Sequence, residues 1–443
     1  MNSSGLPSTS FRWCSREYKH MSKIAEQIKK ISQSLSEPTW LLSWRAEKAG
    51  HAETLPAAIK YGISIHAVLP PNEVPFDQTA DYHVDASKGL ELYTWKEAIA
   101  QEEIVPILEG LMKSEFFPSA TDHFSGIAQA LFRSGIVAYV QPSLEEDGTP
   151  REESLHLDTL VPKGSSADIV VVIAKEGAKL SLTSALSGGE QTSVFARTVI
   201  VLTERDAHVR ITQKHTLANG ATALFSSRGI AAAHSSVTWS AIFAGAIAVK
   251  SGTENMLIGD EARGEIREGI LGGGSAQFDV FSSAKHLADH THSRIRAAGL
   301  ATDTSRTVYR GLIDMVEGIR AVDGGQEARF LVLSPKAEVD AIPSLDIASK
   351  DVLSTHKLSI SHIRDTDTFY SKLRGLSDEE SKQLFLEGHF AQVFSTGAST
   401  ECFNPEFSTE GLSRMSSRQG FPGEDNEPIM NDIRTALSGI RPV

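Results

Sequence analysis

One phrase recurs through the middle of this chain and limits what it can fold into. An apolar run leads to a short polar turn, then an alanine, then a second apolar stretch. It reads VVVIAKEGAKLSL at Val170–Leu182 and VIVLTERDAHVRI at Val199–Ile211. Looser copies are NMLIGDEARGEI at Asn255–Ile266 and FLVLSPKAEVDAI at Phe330–Ile342; Ala178, Ala207, Ala262 and Ala337 hold the same place in each. A unit this small cannot bury its own apolar face, so the copies must stack. The runs are short, apolar and β-branched, with Gly and Asp between them. Each unit is therefore expected to be a coil of strands hydrogen-bonded to the coils above and below. The expected fold is mainly β with α: a parallel β-solenoid over residues 151–363 with helices at both ends.

The flanks read differently. Residues 1–22 are Ser-rich and lack the apolar core of a secretory signal; a disordered extension is expected there, with a weak transit peptide or a true start at Met21 as alternatives. Residues 23–150 read as a helical domain. In SEPTWLLSWRAEKAG, Trp40, Leu41, Trp44 and Lys48 share one helical face, which reads as core, and Ser36 lies where a helix start is expected. A helix broken near Pro106 follows. Residues 364–394 read as a second helical domain, where Ser377 and Glu380 form a capping box and Gly388 is the expected stop. Residues 395–443 are expected to be a mostly disordered tail with one short helix in IMNDIRTALSGI.

Charge narrows the partners. The net charge of −13 over 443 residues argues against nucleic acid and against an anionic membrane surface. No apolar run is long enough to span a bilayer. Cys14 and Cys402 are the only cysteines, so no disulfide framework is expected and the protein is expected to be cytoplasmic.

Three motifs invite chemistry. HLADHTHSR holds His286, His290 and His292. On a strand they could share a face, which reads either as a metal site or as a polar ladder on the solenoid exterior. Gly272, Gly273 and Gly274 lack the Lys-Ser/Thr of a phosphate loop and read as a turn; any ATP hydrolysis must come from another chain. Ser354 and His356 sit two apart on an expected strand and should share a face, which alone is weak ground for a nucleophile pair.

Four segments carry a resemblance. EPTWLLSWRAEKAG, with Trp40 and Arg45, resembles the N-terminal helix of the SufB/SufD family of iron–sulfur cluster assembly proteins. HLADHTHS resembles that family's HLAPHTTS-like phrase, and SRTVYRGLIDM (Ser305–Met315) its S-R-x-x-x-x-G strand. The stretch from AEVDAIPSLDIASKDVLSTHKLS to LSDEESKQLFLEG resembles its last coils and the start of its C-terminal helices. The missing core cysteines, and His290 where SufB-like chains more often carry Asn, favour the SufD branch.

The resemblance implies a right-handed parallel β-helix core between N- and C-terminal helical domains. It implies a non-enzymatic scaffold that pairs edge to edge with a SufB-like paralogue. A SufC-like ABC ATPase would dock on the C-terminal helices, at about Ser361 to Phe390. It places the family's cluster-site histidine on His356, the candidate iron or cluster ligand at the SufB interface, with the iron–sulfur cluster transient and shared. The family's cysteine two residues earlier is here Ser354, so thiolates would come from the partner. The tail after Gly388 departs from the family's continuous helical end. Two alternatives stay open. One is a homodimer of this chain around SufC. The other is a β-helix hydrolase or lyase on acidic polysaccharide, in which Asp340, Asp346 and Asp351 would line a face.

Overall fold

The computed structural model describes residues 10–56, 62–63, 76–189, 193–394 and, near the C-terminus, 430, 431, 433, 434 and 437. Five helices precede or flank the first coil: α1 (Ser10–Leu35), α2 (Thr39–Ala52), α3 (Trp95–Ala98), α4 (Val105–Lys113) and α5 (His123–Leu131). Two more follow the last: α6 (Asp365–Leu373) and α7 (Asp378–Phe394).

Between them two nine-stranded sheets face each other. The first contains β1 (Asp81–Ala86), β4 (Glu152–Val161), β6 (Lys179–Gly188), β8 (His208–Leu217), β10 (Ser236–Gly245), β12 (Arg263–Gly272), β14 (His292–Ala301), β16 (Arg320–Val332) and β18 (Asp351–Ser361), in that spatial order. The second contains β2 (Leu90–Thr94), β3 (Ser134–Val140), β5 (Ser165–Ala174), β7 (Val194–Thr203), β9 (Thr222–Ala231), β11 (Ala248–Leu257), β13 (Gln277–His286), β15 (Arg306–Met315) and β17 (Glu338–Ile347). From β3 onward successive strands alternate between sheets, so each coil gives one strand to each. From β3 and β4 onward every neighbour is parallel. The expected β-solenoid is therefore the observed fold; its parallel strands run from Ser134 to Ser361.

The repeated alanine has a local cause. Ala178, Ala207 and Ala262 are fully buried. Each follows a left-handed residue: Gly177 (φ 75°), Asp206 (φ 58°) and Glu261 (φ 57°). Each donates its N–H to the carbonyl three residues back, on Lys175, Glu204 and Gly259. The turn thus reverses the chain and drops a small side chain into the stack, where a longer one would meet the coils on either side. Ala337 makes the same amide contact, to Ser334, without a left-handed residue before it, and is only half-buried in the last coil. Ala207→Leu is expected to cost about 1–3 kcal/mol through overpacking. Ala337→Leu should cost clearly less; urea midpoints of the two variants check this.

The N-terminal helices pack against the second sheet around Leu41, Trp44, Trp95 and Phe132. Trp44 donates its indole N–H to the carbonyl of Met112 at 2.7 Å. Arg45 is fully buried, paired with Glu37 at 2.6 Å, and donates to the carbonyls of Ala130 and Phe132. Trp44 and Arg45 are thus structural. Asp122 caps α5 and receives Lys250 of β11 at 2.5 Å, which ties helices to solenoid.

Several boundaries differ from expectation. Helix α1 begins at Ser10, within the segment expected to be an extension. Pro38, not Ser36, occupies the N-cap of α2. Pro106 sits in the first turn of α4, so the break falls before it. Ser377 and Glu380 do form the expected reciprocal cap. Helix α7 runs through Gly388 to Phe394, because Leu386, Phe390, Val393 and Phe394 pack on Leu271, Ala298 and Leu300. Met430, Ile433 and Leu437 join that cluster, so part of the tail docks. The rest of residues 395–443 lies outside the described residues.

Candidate functional site

The two ends of the solenoid are not alike. At the N-terminal end, β1 lies antiparallel on β4 and β2 antiparallel on β3, covering the first coil. At the other end, β17 and β18 are the last strands of their sheets. Their backbone edges and the mouth of the coil are open. Paired residues in a parallel ladder share a face. In the inward register, Leu345 and Ile347 follow Ile313 and Met315, and Leu358 and Ile360 follow Ala328 and Phe330. In the inner coils such residues are fully covered. Here Leu345, Ile347, Leu358 and Ile360 are all exposed, and Ile342 and Leu353 add outward apolar surface beside them.

His356 belongs to this open mouth. It pairs with Gln326, and the same inward column runs back through Ile295, Ile266, Trp239 and Ile211. Gln326 donates to the carbonyl of Ser344 on β17 at 2.9 Å and so bridges the sheets beneath it. His356 itself is exposed. Ser354 shares its face, as expected, and its Oγ is shielded with no hydrogen-bond partner. A neutral imidazole in this position can offer one nitrogen to a metal held between this chain and another. Among the described residues, no three His, Cys, Asp or Glu are grouped to hold a metal ion.

The three histidines of HLADHTHSR do not share a strand face. His286 ends β13 inside the solenoid, with Nδ1 2.8 Å from Thr291 Oγ1 and Nε2 2.8 Å from Ser293 Oγ. Burial pushes it down to about 4, with a further push from His292, so it is neutral. His290 occupies a left-handed turn position (φ 54°) with Nδ1 2.7 Å from Asp260, whose carboxylate raises its pKa. His292 opens β14 on the outer face, 3.8 Å from Asp323. The Gly272–Gly274 run forms the turn after β12, with Gly274 left-handed and bonded to Asp303. Of the carboxylates weighed for a hydrolase, Asp340 engages Arg306 and Asp351 accepts from the Ala321 amide.

Nothing in the sequence sets apart the exposed apolar residues of β17 and β18. Their alternation is that of any inner strand; only their place at the end of the stack exposes them. No helix among the described residues is long and apolar enough to cross a membrane.

Residues 160–389 match the family described as SUF system FeS cluster assembly, SufBD core domain. Curated relatives include iron-sulfur cluster assembly SufBD family proteins of Staphylococcus saprophyticus, Staphylococcus haemolyticus and Staphylococcus aureus. Each is 23% identical over 292 residues, covering 65% of this chain and 62% of the relative. The chain thus spans about 62% of the length of the curated relatives it matches. The family match covers all the strands from β5 to β18 and reaches into α7, which includes the open mouth and His356. With its stacked parallel coils, the chain belongs to the SufBD core family of the SUF iron–sulfur cluster assembly system.

Proposed function

We propose that this chain is a non-enzymatic scaffold of the SufD type. It pairs with a SufB-like paralogue through the open end of its solenoid and docks a SufC-like ATPase on its C-terminal helices. The observation that carries the reading is the uncovered last coil. Two free strand edges and four inward-register apolar residues lie where another strand pair would continue the stack. Exposed edges of this kind are pairing templates unless a partner covers them. For the ATPase we assign α6 and the start of α7, where Phe369, Leu373 and Leu376 are exposed. His356 is the candidate ligand for a nascent iron–sulfur cluster, which is cargo passed through the complex. The cytoplasm is the compartment proposed for this assembly.

Co-expression with SufB-like and SufC-like partners tests the reading. Wild type is expected to purify as a complex whose mass contains all three chains. Leu358→Asp/Ile360→Asp removes central apolar surface and should weaken paralogue pairing about 30-fold or more, the scale of an interface hot spot. Leu373→Glu should release the ATPase while the paralogue stays bound. His356→Ala should leave the complex mass unchanged and lower the reconstituted cluster absorbance. Unchanged absorbance discards the ligand and keeps the scaffold. A mass of two copies of this chain with the ATPase would replace the heterodimer with a homodimer.

A further inference from the structure

A groove crosses the outer face of the first sheet, at the N-terminal ends of β10, β12 and β14. It encloses about 450 Å³ and is lined by Ser236, Thr238, Arg263, Glu265, His292 and Arg294. The ladder explains the shape. Ser236, Arg263 and His292 stack in one outward column, and Thr238, Glu265 and Arg294 in the next. Short hydroxyl side chains on β10 beside long ones on β12 and β14 leave a depression. Helix α7 covers the far half of this face over Leu271, Ala298 and Leu300, and the groove half stays open.

Its charge runs against that of the whole molecule. The chain carries a net −13. Among the described residues, the four arginines here (Arg263, Arg267, Arg294 and Arg296) form ion pairs with Glu265 and Asp323 alone. Arg267 and Arg296 both bind Glu265, at 2.6 and 3.1 Å, and Arg294 binds Asp323 at 2.6 Å. Arg263 has no ion pair among the described residues. His208, whose Nδ1 lies 2.8 Å from Ser236 Oγ, is held below its ordinary pKa by burial and then by Lys179, against Asp206, with Arg263 adding a smaller push. Four guanidinium groups against two carboxylates leave the groove locally positive.

We propose that this groove binds a small molecule through a diphosphate group. Arg263 supplies an uncommitted guanidinium fork, the geometry best suited to phosphate oxygens. Arg294 and His292 close the opposite wall, and the hydroxyls of Ser236 and Thr238 offer neutral donors. Glu265 does not oppose an anion, because two arginines already neutralise it. The volume lies within the range of about 300–1,000 Å³ usual for small-molecule sites. The groove's edge strand β14 lies two strands in from the open β18, so the test uses this chain alone, where no paralogue pairing enters.

Calorimetric titration of the purified full chain with inorganic pyrophosphate, at fixed ionic strength, tests it. Saturable one-site binding is expected in wild type. Arg263→Gln should weaken it about tenfold or more, the loss of a charge-assisted pair, while the thermal unfolding midpoint holds. Thr238→Phe fills the groove and removes no cation, so it should abolish binding too. No saturable heat in wild type overturns the site. So does equal affinity in Arg263→Gln, or binding that survives Thr238→Phe, which would mark loose pairing with surface charge.

Discussion

Arg197→Met is expected to destabilise the fold by about 3–5 kcal/mol, the usual cost of stranding one member of a buried ion pair. Arg197 lies on the inward face of β7 and is fully enclosed. Its Nε and one terminal nitrogen hold both oxygens of Asp168 on β5, at 2.8 and 2.5 Å. The remaining donors reach Ser184 on β6 and Thr159 on β4, at 2.9 and 2.8 Å. The hydroxyl of Tyr82, on the capping strand β1, lies 2.9 Å from both Asp168 and Ser134. One guanidinium thus connects four strands, and through Asp168 the cap. Burial opposes its charge, but Asp168 more than offsets this and holds Arg197 above its ordinary pKa. Removing the guanidinium leaves a carboxylate in an apolar core with one phenol for company. Arg197→Met/Asp168→Leu should recover most of the loss, because no orphan charge remains. Tyr82→Phe should cost only about 1 kcal/mol, one hydrogen bond. Urea denaturation of the three variants checks the order. A double variant as unstable as the single would show that packing, not charge, is what Arg197 supplies.

That cluster also marks the limit of what the sequence discloses. The stacked coils are legible because their turn repeats: a left-handed residue followed by a small buried one can be seen in KEGA, ERDA and GDEA. What fills the interior is less visible. The repeat shows HVRI of β8 as apolar but does not show that Gln213 and His215 further along also face inward, where His215 lies stacked between Phe225 and Phe243. The capping strands DYHVDA and LELYT are short pieces in a helical region, and only their antiparallel partners make them strands. Gly388 reads as a helix stop, but packing of Phe390 and Phe394 carries α7 past it. Strand spacing marks His356 only as half of a weak pair with Ser354; its candidacy as a ligand comes from the family resemblance. Its location at an open mouth depends on there being no further coil in the stack, a property of the assembled fold that no local pattern encodes.

Glu268→Gln is expected to stabilise the protein above neutral pH and to do little in acid. Glu268 faces inward on β12, with Ala241 and Ala297 before and after it in the ladder. It is almost wholly buried. Ser282 bonds one oxygen, and the other has no hydrogen-bond partner. Burial therefore lifts its pKa from 4.5 to about 7, against the opposing pull of the Ser282 hydroxyl and the nearby Thr253. The sign follows from proton binding. Below the unfolded value of 4.5 both states hold the proton, and Glu268 carries no titration penalty. As pH rises from there towards 7, the folded state keeps a proton that the unfolded state has lost, so stability falls with pH. Above about 7 both states are ionised and the full cost applies, about 3 kcal/mol for a shift of this size. Glutamine keeps the shape and hydrogen-bonding capacity without the charge. Carboxylates held low elsewhere, such as Glu153 and Asp289, slope the other way in both proteins and cancel in the comparison. The measured quantity is the stability difference between variant and wild type at pH 5 and pH 8.5. It should widen by about 2–3 kcal/mol in favour of glutamine across that interval. A difference that stays flat would mean that Glu268 keeps its charge in the core at neutral pH, held by water or a counter-charge that its neighbours in the ladder do not supply.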